Sequence, residues 1–502
     1  MRLGIDFGTT RVVVAAVDRG NYPILSFETS EGPMDWFPPT VALRGAERRF
    51  GWSAWVSQAE PGWTFVRSLK RTLEDAGPQS LLEIDGRCPS LMELLVGMTG
   101  ELKRALGLEG PLEVMLGVPA NANSNQRFLT VEAFRRAGFH VLGLLNEPSA
   151  AAIEFGHRQK LTGRVLVYDL GGGTFDASLV ELGEKVHTVI ASEGIATLGG
   201  DDFDQLLAEM AAGEPALAGL SAGELFRLLE ECRRQKEALH PNTRKIVVDL
   251  DHCREGWGQV TIPAAVFYER CRPLIAETIR TVARLVDDDP IEALYVTGGG
   301  SELPLVGRML RETFGRRVRR SVYTRSATAI GLAIQADATS GYALRDVFAR
   351  NFGVWREAEG GRLMVFDTIF PRGTRLPGRG EPPLAVERRY RPAHNVGHFR
   401  YLEASHVDGE GQPQGDIAVW DEVWFPFDPA LASHPDLQRV PVARFDAAAG
   451  QELEECYVCT AAGTVGVTIR NVTAQYEREY AIGRWAPTAA PTVAPGKRRR
   501  HR

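Results

Sequence analysis

The chain is poor in cysteine, in long apolar runs and in excess charge of either sign. Six cysteines in 502 residues are too few for a disulfide scaffold and point to a reducing, cytoplasmic setting. No run approaches the roughly 18 apolar residues of a membrane-spanning helix, so no membrane partner is expected. Asp6 interrupts the apolar stretch that a secretion signal would need near the N-terminus. With 58 Lys and Arg against 64 Asp and Glu, the formal charge is −6; the basic surface of a nucleic-acid binder is missing. Cys456 and Cys459 form one CxxC with no second pair. The stretch reads as a strand, which puts the two thiols on opposite faces and argues against a metal or redox site.

What is present suits a multidomain globular protein: 44% hydrophobic and 24% charged residues, in a length that fits about three domains. Strands and helices alternate from residue 1 to about 335. Strands at 3–5 and 12–17 flank the turn Gly8, Thr9, Thr10; a strand at 114–118, a helix at 124–137, a strand at 141–145 and a helix at 148–155 follow. The pattern then restarts, with strands at 165–169 and 175–181 around a glycine turn, and helices at 202–210, 222–239 and 264–286. A strand at 293–297, a third glycine turn and helices at 303–314 and 327–338 close the half. The restart predicts two facing α/β lobes of one plan. The rhythm breaks at 339–350, read as a linker; 351–485 is β-rich; 486–502 is rich in Pro, Ala and Thr, ends KRRRHR, and is expected to be a disordered, solvated tail.

A phosphate chain needs backbone N–H donors that approach closely, which glycines allow, and hydroxyls to complete the contacts. Mg²⁺ adds a need for one or two carboxylates. Gly8, Thr9 and Thr10 with Asp6, and Gly171, Gly172, Gly173 and Thr174 with Asp169 and Asp176, supply those parts twice. Either turn alone could be an ordinary turn; the repetition on matched lobes is what points to a ligand. A third turn, Gly298, Gly299, Gly300, would approach the nucleoside end.

Six stretches, in order, carry a resemblance: IDFGTT at 5–10, FVRSLKR at 65–71, VPA at 118–120, NEPSAAA at 146–152, VYDLGGGTFD at 167–176 and LGGDDFD at 198–204. They resemble the DnaK-type seventy-kilodalton heat-shock chaperones of the actin/sugar-kinase ATPase superfamily, over residues 1–335 or so. The interval from Lys70 to Pro119 is short, as in HscC-like members. The resemblance implies a two-lobed α/β actin-like (ribonuclease H-like) ATPase domain at 1–338, a linker at 339–350 and a smaller β-sandwich-like domain at 351–485. It implies ATP and Mg²⁺ as cofactors, ATP hydrolysis, an unfolded or specific client protein, a co-chaperone and a nucleotide-exchange factor. Position by position, it makes Lys70, Glu147, Asp169 and Thr174 catalytic. Asp6 and Asp169 hold hydrated Mg²⁺. Gly8, Thr9, Thr10, Gly171, Gly172, Gly173, Lys236, Gly298 and Gly299 bind nucleotide, and Pro119 and Arg127 relay its state.

The departures sit at the nucleoside end. Arg233 stands where the family carries a glutamate, Gly300 replaces a serine, Glu302 an arginine, and Arg325 an acidic residue. Arg233 and Glu302 are expected to be a charge-reversed pair bridging the lobes. The β-rich half resembles the family's peptide-binding domain through NFGV at 351–354, GGRLM at 360–364, IFPRGTRLP at 369–377 and GTVGV at 463–467. Glu359 there opposes burial of an apolar peptide side chain, no helical lid is expected, and the linker run LRDVF at 344–348 is less apolar than the family's, which predicts weak coupling. A nucleotide-binding scaffold with negligible turnover stays open as an alternative; a small-molecule kinase of the superfamily is a third.

Overall fold

The computed structural model describes the chain except residues 31, 74, 75, 78, 85, 287–289, 359–362, 378–380, 445, 461–463 and 483–502. It divides into two units, Met1–Ala349 and Arg350–Arg502. Glu359, Gly360, Gly361, Gly463 and the tail at 486–502 lie outside the described residues.

Val12–Ala16 is buried at every position, the mark of a strand covered on both faces. It pairs antiparallel with Arg2–Phe7, which runs parallel to Glu113–Val118, and that strand parallel to His140–Asn146. The second sheet repeats the motif. Gly163–Leu170 pairs antiparallel with Phe175–Leu182 and parallel with Ala293–Thr297. Val318–Arg320 extends it at one edge; Val186–Ile195 and then Ala343–Arg345 extend it at the other. The restart in the sequence is therefore a restart in topology: a hairpin whose first strand has a parallel neighbour on its far side. Each hairpin turn is a glycine–threonine turn preceded by an aspartate.

The lobes are joined by two helices, Glu147–Gln159 and Ala327–Ala336. Small residues let them meet. A Cβ on Gly331 would lie 1.8 Å from the Ala150 carbonyl oxygen, and one on Gly4 would lie 2.2 Å from the Ala333 nitrogen, so the helices and the first sheet touch through bare backbone. Across the top of the cleft, Phe226 packs on Trp55 and Phe65 with ring centroids 5.7 and 4.8 Å apart, and Arg67 pairs with Glu230 at 2.7 Å. Among the described residues no helix is long and apolar enough to cross a membrane.

Two differences from the sequence reading have clear causes. The helix expected from 202 begins at Gly200 and runs to Ala212, because Asp202 folds back to accept from the Gly199 N–H at 2.7 Å and caps a start that glycines disguise. Within the stretch read as a linker, Ala343–Arg345 is an edge strand, parallel to Val186–Ile195 with Leu344 opposite His187.

In the second unit, two four-stranded sheets carry the chain. Leu453–Cys459 alternates buried and half-buried positions, so Cys459 is inside and Cys456 is not. Between the sheets sits a buried ionic knot: Glu455 accepts from Arg356 at 2.6 and 3.0 Å and from the hydroxyls of Tyr457 and Tyr390, while Arg356 also reaches Asp367 at 2.7 Å. Burial raises the tyrosine pKa values well above the phenolic norm, which keeps both hydroxyls protonated as donors.

Candidate active site

The end of the cavity beside the two glycine–threonine turns is assembled from strand ends. Asp6 lies next to last on Arg2–Phe7, and Asp169 next to last on Gly163–Leu170. Glu147 is the first residue of its helix, with Pro148 fixing the first turn. Lys70 follows the strand Thr64–Val66 and donates from Nζ to Glu147 Oε1. Both side chains are buried, 7% and 9% exposed. Burial alone would lower the Lys70 pKa; Glu147 and then Asp6 outweigh it, and the pKa is raised. The carboxylates are crowded. Burial, then Glu147, pushes Asp6 up to about 7. Burial and Glu147 also push Asp176 up to about 7, against the pull of the Ala120 N–H and the Thr174 hydroxyl. Asp169 is raised well above the carboxylate norm by burial, Glu147, Asp6 and Asp176.

The two turns face each other with no room to spare. A Cβ on Gly172 would sit 2.4 Å from Thr10 Oγ1 and 2.8 Å from Thr9 Oγ1. The second turn is braced from behind, since Gly200 N donates to Gly171 O and Asp201 N to Gly172 O at 2.9 and 2.7 Å. The third turn closes on the second: Gly298 has φ +83°, and a Cβ there would lie 2.4 Å from Asp169 Oδ1. Gly299 beside it is open, with only Arg325 Cγ within reach at 3.8 Å.

One cavity collects Asp6, Gly8, Thr9, Thr10, Lys70, Glu147, Asp169, Gly171, Gly172 and Thr174 at this end, and Lys236, Gly298 and Gly299 at the other. Of the residues singled out in the sequence, Gly173, Asp176, Pro119, Arg127 and Glu302 are not on the lining; the Gly173 carbonyl accepts from Arg71 at 3.1 Å, and Arg71 pairs with Asp202 at 3.0 Å. Bare glycine backbone, facing hydroxyls and a lysine suit a polyphosphate. Among the described residues no group of three or more His, Cys, Asp or Glu side chains forms a metal cage. The two facing carboxylates, Asp6 and Asp169, are the number that Mg²⁺ uses when water and phosphate supply its remaining ligands. The residues present fit both groups.

The far end corrects one expectation. Among the described residues no ion pair joins Arg233 to Glu302. Arg233 pairs with Glu230, one turn back on its own helix, and lies over Trp55 and Trp36 at 5.2 and 5.8 Å. Glu302 accepts from Arg325 Nε at 2.9 Å. The lobes are bridged instead by Arg11, whose Nη2 donates to both oxygens of Glu237 at 2.8 and 3.0 Å. Arg325 approaches the same carboxylate at 3.2 Å. The sequence reading missed Arg11 and Glu237, although Arg11 directly follows Thr10 and Glu237 directly follows Lys236. Lys236 itself donates to Gly200 O and pairs with Asp204, both at 2.7 Å.

Fold and cleft together define a class: two-lobed α/β proteins in which paired glycine–threonine turns, each with an aspartate at its strand end, face one cavity. Residues 98–392 match the family described as Hsp70 protein. The chain is 34% identical over 413 residues to the chaperone protein HscA of Serratia proteamaculans, and 33% identical over 412 residues to that of Klebsiella pneumoniae (strain 342). It is 33% identical over 408 residues to the chaperone protein HscA homolog of Vibrio parahaemolyticus. Each match covers 74% of this chain and 64% of the relative, so the chain spans less than two thirds of these relatives' length. The chain belongs to the Hsp70 family.

Proposed function

We propose that the first unit is an actin-like ATPase that binds and hydrolyses Mg-ATP, and that its nucleotide state governs how the second unit, a β-sandwich-like domain, holds an unfolded or specific client protein. One observation carries the reading: the buried Lys70–Glu147 pair sits among Asp6, Asp169 and Asp176 where both glycine–threonine turns converge. Phosphoryl transfer to water depends on positioning and charge compensation. Lys70 is the cation that meets charge developing on the terminal phosphate and orients the attacking water. Asp169, on the second lobe and facing the same cavity, orients that water from the other side. Glu147 fixes Lys70 and would face the water shell of a bound metal; Thr9, Thr10 and Thr174 would offer hydroxyls to phosphate oxygens. Asp6 and Asp169 would hold hydrated Mg²⁺, which when bound would neutralise charge on the phosphates.

A path out of the cavity supports coupling. Asp176 accepts from the Ala120 N–H at 2.8 Å, directly after Pro119. A few residues on, Arg127 donates to Asn146 Oδ1 at 2.8 Å, and Asn146 Nδ2 donates to Asp346 at 3.0 Å, one residue past the edge strand Ala343–Arg345. Asn146 immediately precedes Glu147. A shift of Glu147 with the γ-phosphate would therefore pull on the segment that leads to the second unit. Family membership supports a co-chaperone and a nucleotide-exchange factor as further partners.

The test is steady-state ATP turnover by the wild type and Lys70→Ala, with and without unfolded peptide. Turnover that falls on the order of 100-fold in the variant is expected. Nucleotide binding without turnover in the wild type would move the conclusion to a nucleotide-binding scaffold, the reading favoured by the ion-paired nucleoside end. Phosphorylation of a sugar would overturn both.

A further inference from the structure

The sheet of the second lobe ends at one side on Val318–Arg320, a short strand paired with Ala293–Thr297 on its inner side and, among the described residues, with no strand on its outer side. Its setting is one-signed. No Asp or Glu lies between Glu312 and Asp337, a stretch that holds five arginines, in a chain whose overall charge is −6. Arg325 is engaged by Glu237 and Glu302. The other four, Arg316, Arg317, Arg319 and Arg320, are exposed, and their side chains make no ion pair, hydrogen bond or ring contact among the described residues.

The edge spreads these charges. Arg319 stands opposite Tyr295 and Arg320 opposite Val296. Tyr295 packs on Phe155 with ring centroids 4.4 Å apart on one face of the sheet; Val296 belongs to the core on the other face, with Leu305 and Met309. Successive strand residues point to opposite faces, so the two guanidinium groups straddle the open edge. Ser321 N donates inward to Val296 O at 2.9 Å, and by alternation the backbone groups of Val318 and Arg320 turn outward. Just past the strand, Val322 is 66% and Tyr323 44% exposed. Arg158 steadies the tyrosine, with its guanidinium 5.6 Å from the ring centroid. A single charge is enough to keep an edge strand from pairing with its like. Four unanswered charges of one sign between residues 316 and 320 repel one another, so edge protection alone does not account for them.

We propose that this edge is a docking site for an extended acidic segment of another protein. The segment adds a strand beside Val318–Arg320, and its carboxylates meet Arg319 on one face and Arg320 on the other. Arg316 and Arg317 lengthen the contact, and an apolar side chain of the segment covers Val322 and Tyr323. Outward backbone donors and acceptors beside an apolar pair match a polypeptide strand better than a nucleic acid or a lipid surface, either of which would use the charge alone. The face shares no residue with the lining of the nucleotide cavity, so its occupancy is testable apart from the Mg-ATP reading.

The experiment titrates a short fluorescein-labelled peptide, rich in Glu and carrying one leucine, with the full chain and reads anisotropy. Wild type, Arg319→Ser with Arg320→Ser, Arg319→Glu with Arg320→Glu, and Tyr323→Ala are compared, each shown to keep the wild-type urea midpoint. Because the second unit is also a candidate peptide binder, the difference between chains altered only at this edge is the quantity that decides. Binding to the wild type should weaken with salt and fall about tenfold or more in the double serine variant. The double glutamate variant should prefer a Lys-rich counterpart of the peptide. Tyr323→Ala should weaken binding about threefold and leave its salt dependence unchanged. Of two peptides N-methylated on alternate sets of residues, one should lose binding and the other keep it, since only one set faces the edge. Affinity of the double serine variant within about twofold of wild type overturns the inference, as do two N-methylated peptides that bind alike. Single-stranded DNA or phosphatidylserine vesicles held through the same arginines more tightly than the peptide also overturn it, by giving the face to a different polyanion.

Discussion

Removing Lys70 should do more than slow chemistry; it should leave a buried cluster of carboxylates without its contacting cation. Glu147 would then face Asp6, Asp169 and Asp176 with no counter-charge bonded to it, at 9% side-chain exposure. Breaking a buried pair from one side costs about 3–5 kcal/mol, because the remaining charge keeps its desolvation penalty. Lys70→Met keeps most of the volume, so cavity formation contributes little. Asp6 and Asp176 already lie near 7 and can take up a proton, which places the expected loss at the low end, about 3 kcal/mol. Deleting the other charge as well should restore part of it: a double-mutant cycle over Lys70→Met and Glu147→Gln should give a coupling of about 2 kcal/mol in the nucleotide-free protein. The readout is urea unfolding followed by the far-UV helical signal, which reports the first unit because every described α-helix lies between residues 51 and 336. A coupling below about 0.5 kcal/mol would refute the reasoning, since two groups so close and so dry cannot be independent.

His187, 1% exposed, has both ring nitrogens unpartnered among the described residues; it packs on Tyr342, which in turn meets His157. Burial depresses its pKa to about 4, so the folded state excludes the proton that the unfolded chain accepts near pH 6.5. Stability should be full above about 6.5 and decline toward pH 4 by about 3 kcal/mol; His187→Leu should flatten urea midpoints over that window, and an unchanged slope would count against the assignment. In the second unit, Glu455→Gln leaves Arg356 buried with only Asp367 to answer it. A loss of about 3 kcal/mol in that unit's unfolding is expected, and a change under about 1 kcal/mol would show that the knot is not held by charge.

How much of this was legible in the sequence follows from what each feature depends on. The paired hairpins were readable because their cause is local. Runs such as Val12–Ala16 and Gly163–Leu170 are apolar almost throughout, and the turn glycines and threonines lie within a few residues of them, before the first and after the second. The cradle's closeness is a property of bare backbone, and glycine announces bare backbone in a sequence. The helix start at Gly200 was hidden by the same signal, since glycine read alone argues for a break, and only the reach of Asp202 back to Gly199 overrides it. The strand Ala343–Arg345 had no signature at all: three residues with one leucine become a strand because Val186–Ile195 offers an open edge.

Side-chain pairing is a different kind of question, and there the reading failed for a definable reason. A guanidinium accepts any carboxylate within reach, so knowing that Arg233 and Glu302 both lie at the nucleoside end does not say that they meet. Arg233 has Glu230 three residues back on the same helix, a partner that helical geometry supplies with little further ordering. Glu302 has Arg325, 23 residues on, beyond the helix Pro304–Phe314 and the strand Val318–Arg320. With those choices satisfied, the lobes are joined at this end of the cavity by residues outside the quoted stretches: Arg11, which directly follows the first glycine–threonine turn, and Glu237, on the helix that also presents Lys236. The phosphate cradle can be copied from one lobe to the other because backbone makes it. The ion pair between Arg11 and Glu237 cannot, because it exists only where the two lobes bring opposite charges within 3 Å.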